Sequence, residues 1–386
     1  MDYIYLDNAT ITKPHKEVIE KMMTIIENKY ALATSQFSHT MGLESKEVYE
    51  EARNIIAHSI GAESKNIVFT SGSTESNNLA IKGYARAKKR GNHLITTSVS
   101  ERSVLNSMKT LKKEGFDITV LAVDSSGRIK PEELEKVINE NTILISFELA
   151  NHEVGTIENY RSIVNIAKKH NIAVHIDASY GYLEIPINVN ELYVDLITLT
   201  AHRIHGPSGI GALYIKKRTG IKKMMDGGFN EMNLRAGNES IPLAVGFGRA
   251  VELFDREMDV LHTAKLKKLL IRQLYDKIKH ISINGDPDKS LNNLLNVTFH
   301  KVEGESVALH FDMEGIEVIT GSACFSKSLE PSYVLMALYN DHERAHGSIT
   351  FSFSRYNTRN EILKTADVAK IIVDKLMKIS PLKEEK

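Results

Sequence analysis

The chain has 386 residues, and at about 150 residues per domain this length predicts two to three structural units. Its 49 Lys and Arg residues balance its 49 Asp and Glu residues, so no excess of positive charge favours nucleic acid as a partner. No apolar run approaches the roughly 20 residues of a membrane-spanning helix, and the first residues lack the basic and apolar regions of a secretory signal. We therefore expect no membrane and no nucleic-acid partner.

The chain contains one cysteine, Cys324. One cysteine cannot form an internal disulfide, which fits a reducing cytoplasm. One thiolate also cannot complete the set of about four ligands that zinc or an iron–sulfur cluster requires. Any metal bound here needs further ligands from His, from carboxylates or from another chain.

Short apolar runs alternate with stretches of helical periodicity from residue 16 to about residue 215. The predicted strands are 67–70, 93–97, 118–122, 142–148, 173–177, 196–200 and 211–215. The predicted helices between them include 77–90, 103–114, 131–139 and 161–170. This alternation is typical of βα units and predicts an α/β fold with a mainly parallel sheet between helices.

The pattern changes near residue 240. Residues 241–281 predict one long helix, whose charged end can link two domains. Strands at 295–300 and 347–352 and helices at 305–314, after Cys324 and at the end of the chain predict a smaller α+β domain. We expect a large α/β domain at 12–254, and a small domain made of 1–11 and 255–386 that carries the Cys324 loop.

Polar segments follow several predicted strands, where an open α/β sheet binds its ligands. Residues 70–75 include Ser73 and Thr74 and precede a helix, so they suit either a phosphate or an ordinary helix cap. Asp177 ends a strand, where it can cap the next turn or pair with a protonated ring nitrogen. Residues 200–207 contain His202 and Arg203, which indicate either a site or a polar loop.

The order and spacing of these segments resemble the NifS/IscS-type cysteine desulfurases, which have the class V aminotransferase fold, also called PLP-dependent transferase fold type I. The similarity covers nearly the whole chain and runs through YLDNAT, VFTSGSTESNNLAIKG, ANHEVGTI, HIDAS, HRIHGPSGIGALYI, LRAG, EGES, TGSACFSKSLEPSYVLMAL and SRYNT. It implies a homodimer with pyridoxal phosphate (PLP) near the dimer interface. It also implies a reaction that takes sulfur from cysteine as a cysteine persulfide and releases alanine.

The resemblance also implies roles for individual residues. Cys324 matches the sulfur-carrying cysteine, and Arg355 matches the arginine that binds the substrate carboxylate. The matched cofactor positions are Ser73, Thr74, Glu101, His152, Asp177, Tyr180, Thr200, His202 and Arg203.

Several of these positions depart from the family pattern. Arg203 stands where the family has the lysine that forms a Schiff base, and a guanidinium stays protonated and supplies no nucleophilic amine. Around it, substitutions replace a ring-stacking histidine, an asparagine, a glutamine, a threonine from the partner subunit and an asparagine–proline pair. The residues now present are Glu101, His152, Tyr180, Asn238 and Ala33-Thr34, in that order. This pattern predicts that PLP is not held covalently.

The Cys324 loop has not diverged in the same way. A lone cysteine is commonly a small buried apolar residue, but the Gly- and Ser-rich setting of Cys324 and the family match favour sulfur transfer. Arg355 suits a carboxylate because its guanidinium forms two parallel hydrogen bonds, and a structural ion pair is the alternative.

Three hypotheses follow from the sequence. The favoured one is an iron–sulfur cluster assembly protein without covalent PLP, in which Cys324 accepts sulfur or ligates a cluster, such as [2Fe-2S], shared with an IscU-type scaffold. It explains why the cysteine loop is retained beside an altered cofactor site. The second is a working cysteine desulfurase that uses an unusual amine. The third is a non-catalytic dimeric binding or regulatory protein.

Overall fold

The computed structural model of the chain describes residues 3–321 and 331–379. Its strands are β1 (Ile4–Tyr5), β2 (Ile67–Thr70), β3 (His93–Thr97), β4 (Asp117–Leu121), β5 (Thr142–Glu148), β6 (Ala173–Asp177), β7 (Leu196–Thr200), β8 (Gly211–Ile215), β9 (Ile281–Ile283), β10 (Leu294–Phe299), β11 (Ile316–Glu317) and β12 (Ser348–Ser352). Its α-helices are α1 (Lys16–Asn28), α2 (Thr40–Ser59), α3 (Ser73–Asn78), α4 (Tyr84–Ala87), α5 (Arg102–Lys113), α6 (Pro131–Val137), α7 (Tyr160–Lys169), α8 (Asn230–Asn233), α9 (Ile241–Glu252), α10 (Thr263–Lys277), α11 (Gly304–Met313), α12 (Tyr333–Tyr339), α13 (His342–His346) and α14 (Arg359–Ile379). Among these helices, none is both long and apolar enough to cross a membrane.

The main sheet has seven strands in the order β2-β8-β7-β6-β5-β3-β4. Only β8 runs antiparallel to its neighbours, so the predicted α/β fold with a mainly parallel sheet is confirmed. Successive residues of a strand enter separate apolar clusters: Ile67 and Phe69 pack into one, and Val68 packs into another. Apart from β4, which is only partly buried, the strands are buried on both faces, and these six strands keep their predicted limits.

Parallel pairing brings the ends of three strands to one edge of this sheet. Glu148 at the end of β5 pairs in register with Asp177 at the end of β6, and Asp177 pairs with Thr198 of β7. Gly211, the first residue of β8, lies between Thr70 and Thr200. A Cβ atom at Gly211 would lie 2.8 Å from the backbone of Gly72, so this glycine lets the loop after β2 approach the sheet.

A second sheet, which is antiparallel, has the order β12-β10-β9. The start of the chain joins this part of the molecule, because β1 pairs with β11 and Asp7 forms a bridge with Ser352. Leu6 is buried in the same apolar cluster as Phe299 and Phe351. These contacts join the first residues to the second sheet, and the small α+β domain at 1–11 and 255–386 stays a prediction.

The single helix predicted at 241–281 is wrong. Helix α9 ends at Glu252, and a π-helical segment at Glu257–His262 then leads into α10, while Ile281 belongs to β9. The interruption has a local cause: the Asp255 carboxylate accepts a hydrogen bond from the Glu257 backbone N–H at 2.9 Å, as a helix cap does. Helical periodicity continues across the break and hides it in the sequence.

Candidate functional site

Asp177 lies at the end of β6 and is buried. Its Oδ1 accepts a hydrogen bond from the Ser179 backbone N–H at 2.9 Å, so it caps the turn after the strand. Its Oδ2 accepts a hydrogen bond from Asn77 Nδ2 at 2.6 Å. Both carboxylate oxygens therefore have partners within the chain. Of the two roles predicted for Asp177, these contacts match the cap of the next turn.

Glu101 is joined to Asp177 through two intermediate side chains. Its Oε2 accepts a hydrogen bond from the Ser103 backbone N–H at 2.7 Å, which caps the start of α5. The Ser103 hydroxyl donates to the same oxygen and accepts from Asn77 Nδ2 at 2.8 Å. The amide of Asn77 thus donates both of its hydrogens within this network. The dipole of α5 stabilises the Glu101 carboxylate at the start of that helix.

His152 forms a buried ion pair with Glu148. Its Nδ1 lies 2.8 Å from Glu148 Oε1, and its Nε2 lies 3.1 Å from the hydroxyl of Tyr333. That hydroxyl donates to the Ser100 carbonyl at 2.9 Å, so it accepts from Nε2, and both ring nitrogens act as donors. Burial alone would lower the pKa of His152, but the charges of Glu148, Glu101 and nearby acids raise it to about 9. The Glu148 carboxylate therefore favours the imidazolium form of His152, while burial raises the pKa of Glu148 itself to about 7.

Arg203 is held by the N-terminal segment and by Tyr180. Its Nε donates to the Ala9 carbonyl at 2.8 Å, and one terminal nitrogen donates to the Tyr180 hydroxyl at 2.7 Å. The guanidinium carbon lies 3.8 Å from the centre of the Tyr180 ring, a cation–π distance. The other terminal nitrogen, Nη1, is buried without a hydrogen-bond partner among the described residues.

His202 is fixed as a neutral imidazole. Its Nδ1 lies 2.9 Å from the Thr200 hydroxyl, and the Thr12 backbone N–H donates to the His202 carbonyl at 2.8 Å. Burial, and to a lesser degree the charge of Arg203, lowers the pKa of His202 to about 3. The N-terminal segment that holds Arg203 therefore also holds His202.

The predicted phosphate loop lies between β2 and α3. Ser73 begins α3, Thr74 is exposed, and Gly72 has a φ of 148°, which few other residues adopt. One backbone donor of the loop is already used, because the Ser71 N–H donates to Glu75 Oε2 at 2.7 Å. Glu75 in turn pairs with Arg235 at 3.1 Å. An anion here has to share the loop with a carboxylate of the chain itself.

Arg355 lies in a cleft where the two sheets meet. Its Nε donates to Asp259 Oδ1 at 2.7 Å, its Nη2 donates to Asp259 Oδ2, and Nη2 also donates to the Leu253 carbonyl at 2.9 Å. Tyr180 and Arg203 line the same cleft. The structure thus brings Arg203 and Arg355 to one cavity, and Arg355 makes an ion pair within the chain.

Cys324 and its loop lie outside the described residues, so its predicted roles as sulfur carrier and cluster ligand stay predictions. The next described residues contact the site: the Ser332 hydroxyl donates to Glu153 at 2.7 Å, and Tyr333 contacts His152. The sequence patterns do not single out Glu148, Tyr333 or Asp259. Glu148 ends a predicted strand, as Asp177 does, and that shared position could have identified it.

The residues at this edge do not fit a covalently held PLP. Arg203 has no amine that could form a Schiff base, and its guanidinium is engaged by Ala9 and Tyr180. Glu101, where a ring would need a stacking partner, caps a helix instead. We therefore derive no step through that cofactor.

Comparison with known proteins finds similarity along nearly the whole chain. The model of the aminotransferase class-V family matches residues 4–364. The cysteine desulfurase IscS of Dictyoglomus turgidum is 45% identical over 385 residues, which cover 99% of this chain and 97% of that protein. The cysteine desulfurase IscS of Methanosarcina thermophila is 42% identical, with 98% and 94% covered. A solved NifS-like protein superposes with a TM-score of 0.90 at 34% identity, covering 97% of this chain and all of the other.

The ion pair of His152 predicts a distinct titration. In NMR spectra, the imidazole of His152 should titrate near pH 9, whereas His202 should stay neutral from pH 5 to 9. Because the folded-state pKa of His152 is raised from 6.5, the stability that its proton contributes is lost as the pH rises through 9, and protonation of Glu148, whose pKa burial raises to about 7, weakens the pair at lower pH. Glu148→Gln removes the main counter-charge and leaves burial, so the midpoint should fall below 6.5. In the control Glu153→Gln, the titration midpoint of His152 should stay above 6.5. A wild-type midpoint near 6.5 would contradict the ion pair.

Proposed function

We propose a function for this chain from the family to which it belongs, the cysteine desulfurases of NifS/IscS type within the aminotransferase class-V family. This family serves iron–sulfur cluster assembly. Within it, we assign this chain to cluster assembly without covalent PLP. Cys324 accepts sulfur, or ligates a cluster that a scaffold of IscU type shares. The single cysteine supports a cytoplasmic location for this work.

One observation carries the proposal: the position of the Schiff-base lysine holds a guanidinium with partners of its own. An arginine there cannot form the bond to the cofactor on which the family reaction begins. The stacking on Tyr180 and the bond to the Ala9 carbonyl give Arg203 a structural role instead. Sulfur acceptance or cluster ligation by Cys324 needs no lysine at this position.

Cys324 supplies the chemistry of this proposal. As a thiolate it attacks the outer sulfur of a donor persulfide, the S–S bond of the donor breaks, and the donor leaves as a thiolate. The sulfur then remains on Cys324 as a persulfide, with no net oxidation. As a ligand, the same thiolate binds one iron position, and the scaffold supplies the others.

A working desulfurase with another amine is the second candidate, and Lys267 is the observation that favours it. Lys267 is buried, and burial lowers its pKa to about 8, which eases deprotonation of the amine. Its Nζ donates to the carbonyl of Leu291, a residue of the cleft, at 2.8 Å and to the Ser290 hydroxyl at 2.6 Å.

We also propose a homodimer, as the family resemblance implies. Helix α1 exposes Ile19, Met23 and Ile26 by 47–48%, and their spacing of four and three residues places them on one face. The segment after α1 exposes Tyr30 by 72% and Phe37 by 91%. Apolar side chains exposed in such a group are typical of a protein interface.

Treatment with PLP and then borohydride tests the missing amine. Wild-type protein should carry no reduced PLP adduct in the pocket by peptide mass mapping, because Arg203 cannot form an imine. Arg203→Lys alone should restore little desulfurase activity, since Glu101, His152, Tyr180 and Asn238 still differ from the family pattern. Arg218→Lys, at an exposed position, controls for labelling of any surface lysine. An adduct on Lys267 would favour the second candidate, and full activity in Arg203→Lys would show that the site is largely intact.

Production together with a scaffold protein tests the role of Cys324. The isolated chain should bind no cluster, because one thiolate fills one of about four ligand positions. The complex should carry a cluster in wild type and lose it in Cys324→Ser, as visible absorbance and iron and sulfide contents would show. Recovery of the complex in both preparations is the control. Equal cluster loading would reject the ligand role and leave sulfur acceptance.

The exposed apolar face of α1, together with Phe37, predicts that the protein is a dimer in solution. Wild type should have the mass of two chains at micromolar concentration, and Phe37→Asp should shift it towards one chain, because a charge would be buried in the interface. The control Ile371→Asp places the same charge on α14, where Ile371 is 66% exposed, and should stay dimeric. A wild-type mass of one chain would rule out the dimer.

A further inference from the structure

The carboxylate that Arg355 binds in this structure belongs to the chain itself. Asp259 faces Arg355 through two parallel hydrogen bonds, and the two side chains are only 10% and 12% exposed. Such a two-pronged contact is how an arginine recognises a carboxylate ligand. Asp259 therefore occupies the position in which a substrate carboxylate would bind to Arg355.

The local backbone holds Asp259 in that position. Asp259 lies in the π-helical segment that follows the interruption after α9, and such segments often occur at functional sites. The Asp255 backbone N–H donates to Asp259 Oδ2 at 2.9 Å, and the Thr263 hydroxyl donates to the Asp259 carbonyl at 2.8 Å. His205 Nε2 lies 3.7 Å from Oδ1. The carboxylate is thus oriented by its own segment before it meets Arg355.

Displacement of Asp259 by a free amino acid would be costly. The incoming carboxylate would have to take both hydrogen bonds of Arg355 and leave a buried aspartate without its counter-charge. The cleft offers little space for both, because its cavity measures about 40 Å³, enough for a few water molecules. An internal ligand on a fixed backbone also competes at high effective concentration.

We propose that Asp259 is a specificity-determining residue that closes Arg355 to the carboxylate of free α-amino acids. This proposal deepens the proposed function. One consequence rests on that function: sulfur reaches Cys324 from a donor that places no carboxylate on Arg355. The assignment of Asp259 itself rests on the contacts with Arg355 and on the small cavity.

The test measures the binding of L-alanine to full-length protein that carries Cys324→Ser, by equilibrium dialysis with labelled amino acid. L-alanine has the carboxylate and amine of cysteine without its thiol. Asp259→Asn keeps the shape of the side chain and removes its charge, so the Kd for L-alanine should fall by about tenfold or more. Asp259→Glu keeps a carboxylate and should show no gain. Adding Arg355→Gln to Asp259→Asn should abolish the gain, and alaninol, which lacks the carboxylate, should bind no better to any variant.

Three outcomes would overturn the assignment. They are an unchanged Kd for L-alanine in the Asp259→Asn variant, a gain that persists without Arg355, and an equal gain for alaninol. Thermal midpoints and circular dichroism of each variant show whether it is folded, and Asp259→Ser, which also removes the charge, replaces Asp259→Asn if that variant is unstable. Because the assay uses protein without Cys324 and without PLP, failure of the proposed function in the cluster or adduct experiments would leave its result unchanged.

Discussion

The permanent positive charge of Arg203 constrains the residues around it. A lysine can lose its proton and react, whereas a guanidinium remains charged and needs acceptors wherever it is buried. The Ala9 carbonyl and the Tyr180 hydroxyl accept from two of its nitrogens and the Tyr180 ring faces its plane, whereas Nη1 has no acceptor among the described residues. The charge also acts on Asp7: burial raises the pKa of Asp7, and Arg203 opposes that rise.

Several acids gather at the same edge of the sheet, and the chain compensates each of them locally. Glu148 is paired with His152, Asp177 accepts from Asn77 and Ser179, and Glu101 sits at the start of a helix. Each compensation uses a donor that a bound ligand would otherwise find free. A covalently held PLP at this edge of the sheet would have to displace these internal contacts.

The sequence predicted six strands of the main sheet well because they are buried on both faces and polar residues mark their limits, as Asp177 and Ser179 do for 173–177. It missed the break after α9 because the cap at Asp255 interrupts a helix without interrupting its periodicity. It missed the contact of Asp259 with Arg355 because 96 residues separate them and neither position carries a pattern that refers to the other. Long-range pairing of charges is set by the packing of the sheets, which local patterns do not encode.

The contacts of Arg203 help to join the two sheets through the segment at 8–12. The segment at 8–12 lies between the two sheets: Asn8 donates to the Ser352 carbonyl at 2.9 Å on one side, and Thr12 bonds to the His202 carbonyl on the other. Arg203 binds Ala9 in the middle of this segment, and Tyr180 connects it to the turn after β6. A cofactor that is bound covalently between such parts stabilises the folded state by linkage. In this chain, the hydrogen bonds of Asn8, Ala9 and Thr12 join the same parts through the protein itself.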